Sequence, residues 1–199
     1  LTRIYSGKVR DCYEVDANTL LVVATDRISA FDVVMLNGVP GKGKILSQLT
    51  DFWMKHLKEA GAGLDDHLIT CDVAQMPDSC RKHAAVLSGR SMLVRKLQML
   101  PVEAIVRGYI TGSGWVDYQA SGAVCGHILP ASLELCEKLP EVLYTPSSKA
   151  DAGDHDENIT TEQARSLLGD SHAALVEAHA KRVYNLACAY AEKRGVLVA

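Results

Sequence analysis

Val9-Arg10-Asp11-Cys12-Tyr13-Glu14-Val15, then Asp16-Ala17-Asn18, then Leu20-Leu21-Val22-Val23-Ala24 is the stretch from which the fold is read. In its first part Val9, Asp11, Tyr13 and Val15 alternate with Arg10, Cys12 and Glu14, a period of two that suits a strand with unlike faces. Asp16-Ala17-Asn18 supplies turn residues, and the unbroken apolar run beyond it reads as a buried strand. Together they predict a hairpin. A loop over 25–31 and a short apolar run, Val33-Val34-Met35-Leu36, come next. Gly38, Pro40, Gly41 and Gly43 then break regular structure. Ile45, Leu49, Phe52, Trp53 and Leu57 recur at helical spacing, with Gly61 where a helix would end, so a helix packed on the sheet is expected.

Further along, 92–96 and 102–106 read as strands joined by the connector Leu97-Gln98-Met99-Leu100-Pro101. A glycine-rich stretch over 108–114 and a short helix near 115–120 follow. Residues 139–159 are polar, contain Pro140, Pro146 and Gly153, and show no clear period, so they read as a long functional loop. Thr160 with Gln163 resembles a capping box. A long helix is expected over 171–194, with Gly195 beyond its end, and Val196-Leu197-Val198-Ala199 reads as the opening of a buried strand.

With 199 residues the chain allows one domain or two small ones. An apolar fraction of 48% and a charged fraction of 23% are those of an ordinary globular protein. A net charge of -3 argues against a general nucleic-acid binder. No apolar run approaches the ~18 residues of a membrane helix, and no secretory leader is read at the start. The six cysteines include no CxxC pair and read as reduced residues of a cytoplasmic protein.

Several stretches could carry chemistry. Gly38-Val39-Pro40-Gly41-Lys42-Gly43-Lys44-Ile45 nearly fits a Walker P-loop, but Ile45 stands where that loop needs a magnesium-binding hydroxyl. In Ser6-Gly7-Lys8-Val9-Arg10-Asp11 a glycine and two cations could receive a phosphate; a solvated turn is the alternative. Thr25 to Asp32 places carboxylates, a guanidinium and hydroxyls in one loop. Arg107 is expected just after a strand, with Gly108 and Gly112 leaving room beside it for a carboxylate or phosphate; a structural salt bridge is the competing reading. Ser147 to Asn158 is the densest polar cluster, and an exposed acidic loop is its plainer reading.

Taken together, these stretches resemble the SAICAR synthetase (phosphoribosylaminoimidazole-succinocarboxamide synthase) family through nearly the whole chain and in motif order. The resemblance rests on residues 5–11, 26–32, the signature Leu100-Pro101-Val102-Glu103-Ala104-Ile105-Val106-Arg107-Gly108-Tyr109-Ile110-Thr111-Gly112-Ser113-Gly114-Trp115, then 145–149 and 153–158. It implies an α+β fold with a kinase-like antiparallel sheet lobe over 1–100, which binds nucleotide. A mixed α/β lobe over 101–199 would carry the substrate site, with a cleft between the lobes. It also implies a purine-biosynthesis ligase that joins L-aspartate to 5-amino-1-(5-phosphoribosyl)imidazole-4-carboxylate (CAIR) with hydrolysis of ATP to ADP and phosphate. A carboxylate is a poor acyl electrophile, and phosphoryl transfer, giving an acyl phosphate, creates a leaving group.

By resemblance, Gly7, Lys8, Val9 and Arg10 cover the ATP phosphates, while Lys96, Met99, Leu100 and Glu103 border the nucleoside. Ser29, Asp32, Arg107, Ser113, Lys149, His155, Asp156 and Asn158 form the substrate site, with Lys149 and Asp32 nearest the chemistry. Magnesium is implied too, but its ligands are expected beyond residue 199. On that basis the second lobe reads as incomplete and this stretch alone as poorly active. An inactive nucleotide-binding fragment and a P-loop hydrolase are the alternative functions. No nucleic-acid or membrane partner is expected, and the sequence does not specify an oligomeric state.

Overall fold

The computed structural model describes residues 1–30, 33–149 and 157–199. The chain divides into two compact units: residues 1–59 with 64–98, and residues 60–63 with 99–199.

The first unit is built on the predicted hairpin. β2 (Arg10–Glu14) pairs antiparallel with β3 (Thr19–Ala24), and Arg10 stands opposite Ala24. β1 (Thr2–Ser6), a strand not expected from the sequence, pairs along β2. β4 (Ser29–Ala30) and β5 (Val33–Val34) form a small separate hairpin. α1 (Lys42–Glu59) is the helix expected from its aromatic stripe. β6 (Leu68–Thr70) and β7 (Ser91–Arg95) complete a five-stranded sheet in the order β1-β2-β3-β7-β6. Between them lie a 3-10 turn, Val73–Gln75, and two single-turn helices, α2 (Asp78–Arg81) and α3 (Ala84–Leu87). These pieces are too short to show a periodic signal, yet they supply Val73, Met76, Cys80 and Leu87, which bury against Leu21 and Leu93 of the sheet.

In the second unit the expected strand over 102–106 is two strands. β8 (Val102–Glu103) and β9 (Val106–Tyr109) take different partners, so the ladder breaks between them. Arg107 therefore lies inside a strand and not after one. α4 (Gly112–Ser121) begins three residues earlier than expected and ends on Gly122 at φ 71. A two-residue turn, Cys125-Gly126, joins β10 (Ala123–Val124) to β11 (His127–Ile128), both turn residues having positive φ.

The polar stretch after residue 138 is not all loop. β12 (Lys138–Tyr144) pairs with β9, and β13 (Ser147–Ser148) pairs with β8. Exposed Pro140 lies within a register irregularity, where a proline is tolerated because its missing N–H is not needed. Leu139, Leu143 and Tyr144 are buried.

The capping box is present: Thr160 and Gln163 exchange side-chain and backbone hydrogen bonds of 3.1 and 2.7 Å. It opens a separate helix, α5 (Thr161–Leu168). Gly169, at φ 78, breaks the chain before α6 (Asp170–Glu192), the expected long helix. Residues 196–199 form no strand; the Val198 carbonyl accepts from the Tyr184 hydroxyl at 2.6 Å instead. All six cysteines are free thiols. No helix among the described residues is long and apolar enough to cross a membrane.

Gly43 is buried at the start of α1, where a Cβ would lie 2.8 Å from the Ala24 carbonyl carbon. Overpacking of this kind against backbone costs about 1–3 kcal/mol. Gly43→Ala is expected to lower the urea midpoint of the first unit by a corresponding amount. An unchanged midpoint would show that α1 can shift to make room.

Candidate functional site

The opening loop is held through its carbonyls by two side chains, those of Thr25 and Arg27. Gly7 N–H donates to the Arg10 carbonyl at 2.8 Å, which closes the turn. Thr25, at the end of β3, donates its backbone N–H and its hydroxyl to the Val9 carbonyl at 3.0 and 2.9 Å. Arg27 donates to the Gly7 carbonyl at 3.0 Å, to the Lys8 carbonyl at 3.2 Å, and to both Asp11 carboxylate oxygens at 2.8 and 3.3 Å. Ser6 Oγ donates to the same carboxylate at 2.7 Å. Gly7, Lys8, Val9 and Arg10 thus form one braced loop, with Lys8 and Arg10 exposed. The Arg27 hydrogen bond holds the Asp11 carboxyl below its ordinary value of 3.8 against the opposing effect of burial.

The Walker-like stretch is occupied by the chain itself. Gly43 and Gly41 N–H groups donate to the Asp26 carboxylate at 2.9 and 3.2 Å, and Arg90 donates to it at 3.2 Å. Those N–H groups are the ones a P-loop would turn toward phosphate. Here a carboxylate from the preceding loop takes their place, and Gly43 packs on backbone. The stretch is therefore a turn at the start of α1, and the P-loop alternative, already at odds with Ile45, gains no support.

In the second unit the structure gathers Arg107, Ser113 and Asn158. Arg107 Nη2 donates to Ser113 Oγ at 2.8 Å, and Nη1 reaches the Thr111 carbonyl at 3.4 Å. Ser113 Oγ in turn lies 3.5 Å from Asn158 Oδ1. Asn158 Nδ2 donates to Asp117 at 2.6 Å, which fixes the orientation of the amide. Asp117, on α4, escaped the sequence reading because one acidic residue on a short helix gives no signal of its own. Arg107 Nε is buried and meets no acceptor in the described protein. Among the described residues Arg107 bonds to Ser113 and the Thr111 carbonyl and pairs with no carboxylate. Of the two glycines expected to leave room beside it, Gly112 does face Arg107, with a Cβ there 3.8 Å from Nη1, and Gly108 does not. Gly108 accommodates Tyr184: a Cβ there would overlap its hydroxyl and lie 2.9 Å from Cζ. Gly114 is the glycine against which Arg107 packs, with a Cβ only 3.1 Å from Nε. Thr111 caps α4 without a side-chain hydrogen bond, so the positive end of the helix is left to the same locality.

Glu103 and Lys149 are brought near each other by the β8–β13 ladder. Ser147 stands opposite Glu103, and Lys149 N–H donates to the Pro101 carbonyl at 3.1 Å. Asn158 joins this group through a bridge to Ser147. Met99 and Leu100 are exposed. Lys96 Nζ pairs with Glu14 at 2.8 Å on the surface, a contact worth little to stability. Ser29 sits half-buried in the β4–β5 hairpin. Asp32, His155 and Asp156 lie outside the described residues.

Residues 3–199 match the family model for SAICAR synthetase. The chain belongs to the SAICAR synthetase family. A phosphoribosylaminoimidazole-succinocarboxamide synthase of Syntrophobacter fumaroxidans is 49% identical over 193 residues, covering 97% of this chain and 63% of the relative. The chain thus spans less than two thirds of that relative's length. Among solved structures, SAICAR-synthase from Saccharomyces cerevisiae complexed with SAICAR superposes with a TM-score of 0.88 at 41% identity, over 100% of this chain and 66% of that one. A type-2 SAICAR synthetase in complex with ADP gives a TM-score of 0.75 at 26% identity, over 98% and 71%. The α+β fold with an antiparallel sheet is accordingly that of the family.

Because the folded-state value of Asp11 is depressed, its stabilising effect is complete above the unfolded value near 3.8 and is lost as pH falls through the lower folded value. The stability difference between the wild type and Asp11→Asn, measured by urea unfolding, is expected to be constant at neutral pH and to shrink only below that value. A difference that instead changed between pH 5 and 8 would contradict the assignment.

Proposed function

We propose that the protein is an ATP-dependent ligase that joins L-aspartate to CAIR, giving SAICAR, ADP and phosphate. The observation that carries this reading is Arg107: a half-buried guanidinium held by Ser113 and Gly114, beside the N-terminus of α4, with no carboxylate paired to it among the described residues. Such a group favours an anionic ligand, and a planar guanidinium can hold a carboxylate by two parallel hydrogen bonds. Family membership and the SAICAR and ADP named with the solved relatives support the choice of ligands.

In this reading Arg107 and the first turn of α4 hold an anionic group of CAIR, and Ser113 and Asn158 fix its orientation. The braced loop over residues 7–10 faces the ATP phosphates, with Lys8 and Arg10 offsetting their charge. Met99, Leu100 and Glu103 border the nucleoside. Lys149 brings a cation to the same ladder as Glu103, where it offsets charge that develops during transfer. ATP supplies the phosphoryl group that makes the CAIR carboxylate a better electrophile. The described residues gather no group of three or more His, Cys, Asp or Glu side chains that could hold a metal, so magnesium is assigned no ligand here.

Arg107→Lys is expected to weaken CAIR binding by about tenfold or more, the equivalent of one lost charge-assisted hydrogen bond, while ATP affinity changes little. Equal losses for both ligands together with a lower melting temperature would return Arg107 to a structural role. ATP titration of Lys8→Ala and Lys44→Ala separates the two lysines: Lys8→Ala should weaken ATP binding more. ADP release should require CAIR and L-aspartate together, and release with ATP alone would favour a hydrolase.

A further inference from the structure

Arg27 is drawn into the opening loop by contacts that reach beyond a simple ion pair. Its guanidinium meets Asp11, and the same fork reaches the carbonyls of Gly7 and Lys8, two successive peptide groups. A trans peptide is planar, with its N–H opposite its C=O, and the described residues contain no cis bond. Fixing the Gly7 and Lys8 carbonyls on Arg27 therefore turns the N–H groups of Lys8 and Val9 to the opposite side of the loop.

We propose that Arg27 is a positioning residue for nucleotide phosphates: it sets the Lys8 and Val9 peptide groups so that their N–H donors face the ligand. The proposal rests on reading this loop as the phosphate cover. Arg27 does not itself bind the phosphate in this arrangement, because Asp11 occupies its charge. Asp11 in turn is buried, only 8% exposed, and is held by Ser6, so the fork has a fixed base. The geometry needs a planar fork. A lysine at this position keeps the charge and can still meet Asp11, but a single ammonium cannot also span both carbonyls. An ordinary structural ion pair would leave the loop carbonyls out of the contact.

The test uses Arg27→Lys with ATP and adenosine as separate probes, alongside thermal melting. ATP affinity is expected to fall roughly tenfold, the scale of one charge-assisted hydrogen bond, with adenosine affinity unchanged because adenosine has no phosphate to meet the loop. Equal weakening of ATP and adenosine, or unchanged ATP affinity, overturns the proposal. Lys8→Ala is the control on the underlying reading. If it leaves ATP binding intact, the loop is not the phosphate cover and the proposal falls with that reading. If it weakens ATP binding while Arg27→Lys does not, the proposal alone falls. Should Arg27→Lys fail to fold, amide hydrogen exchange on the wild-type chain decides. ATP is expected to slow exchange at Lys8 and Val9 relative to adenosine, and equal exchange with the two ligands overturns the proposal.

Discussion

The carboxylate of Asp26 holds together segments that are far apart in the chain. It receives the N–H groups of Gly41 and Gly43 at the start of α1, and the guanidinium of Arg90 just before β7. Its own carbonyl accepts from Val39 at 2.8 Å. Asp26, two residues past the end of β3, thus sets where the helix begins and how the glycine-rich turn returns to the sheet. The anion at a helix N-terminus is favourable there for the usual reasons of dipole and unsatisfied N–H groups. The backbone N–H donations, Gly43 foremost, keep the carboxyl below its ordinary range. The neighbouring residues Thr25 and Arg27 leave the same strand end and bond the opening loop.

The second unit organises its polar site by a similar economy. Glycine appears where a large side chain must lie against backbone: Gly108 beneath Tyr184 and Gly114 beneath Arg107. Asn158 then links β13 to α4, through its bridge to Ser147, its contact with Ser113 and its hydrogen bond to Asp117. The result is a guanidinium held by the Thr111 carbonyl and Ser113 Oγ and packed on Gly114.

The hairpin over 9–24 was legible because its alternation and turn residues are local signals, and α1 was legible because its apolar spacing runs for several turns. The pieces between residues 68 and 90 were not legible, because single-turn helices bury their residues through tertiary contact and leave no period in the sequence. β12 was hidden by Pro140 and by an irregular register. Arg107 and Ser113 were visible as chemistry in the sequence and Gly112 does lie beside the arginine, but Gly108 makes room for Tyr184 instead and the closer Gly114 was not singled out. Backbone direction decides which glycine faces the arginine, and residue spacing alone does not report it. Asp26 was visible as an acidic loop residue; its reach to the Walker-like turn depends on a contact that no local pattern encodes.

The fit of Tyr184 against Gly108 also bears on the order in which the molecule assembles. β9 carries Arg107 and is completed on one side by β12 and on the other by a side chain of α6. Contacts between such distant positions close large loops and form late relative to hairpins. During synthesis the sheet hairpin can pair as soon as its two strands have left the ribosome, whereas the arginine acquires its final surroundings only after the long helix has been made. The surroundings of Arg107 are therefore a late acquisition of the growing chain, and a nascent polypeptide gains its local sheet structure before that part of β9 is enclosed.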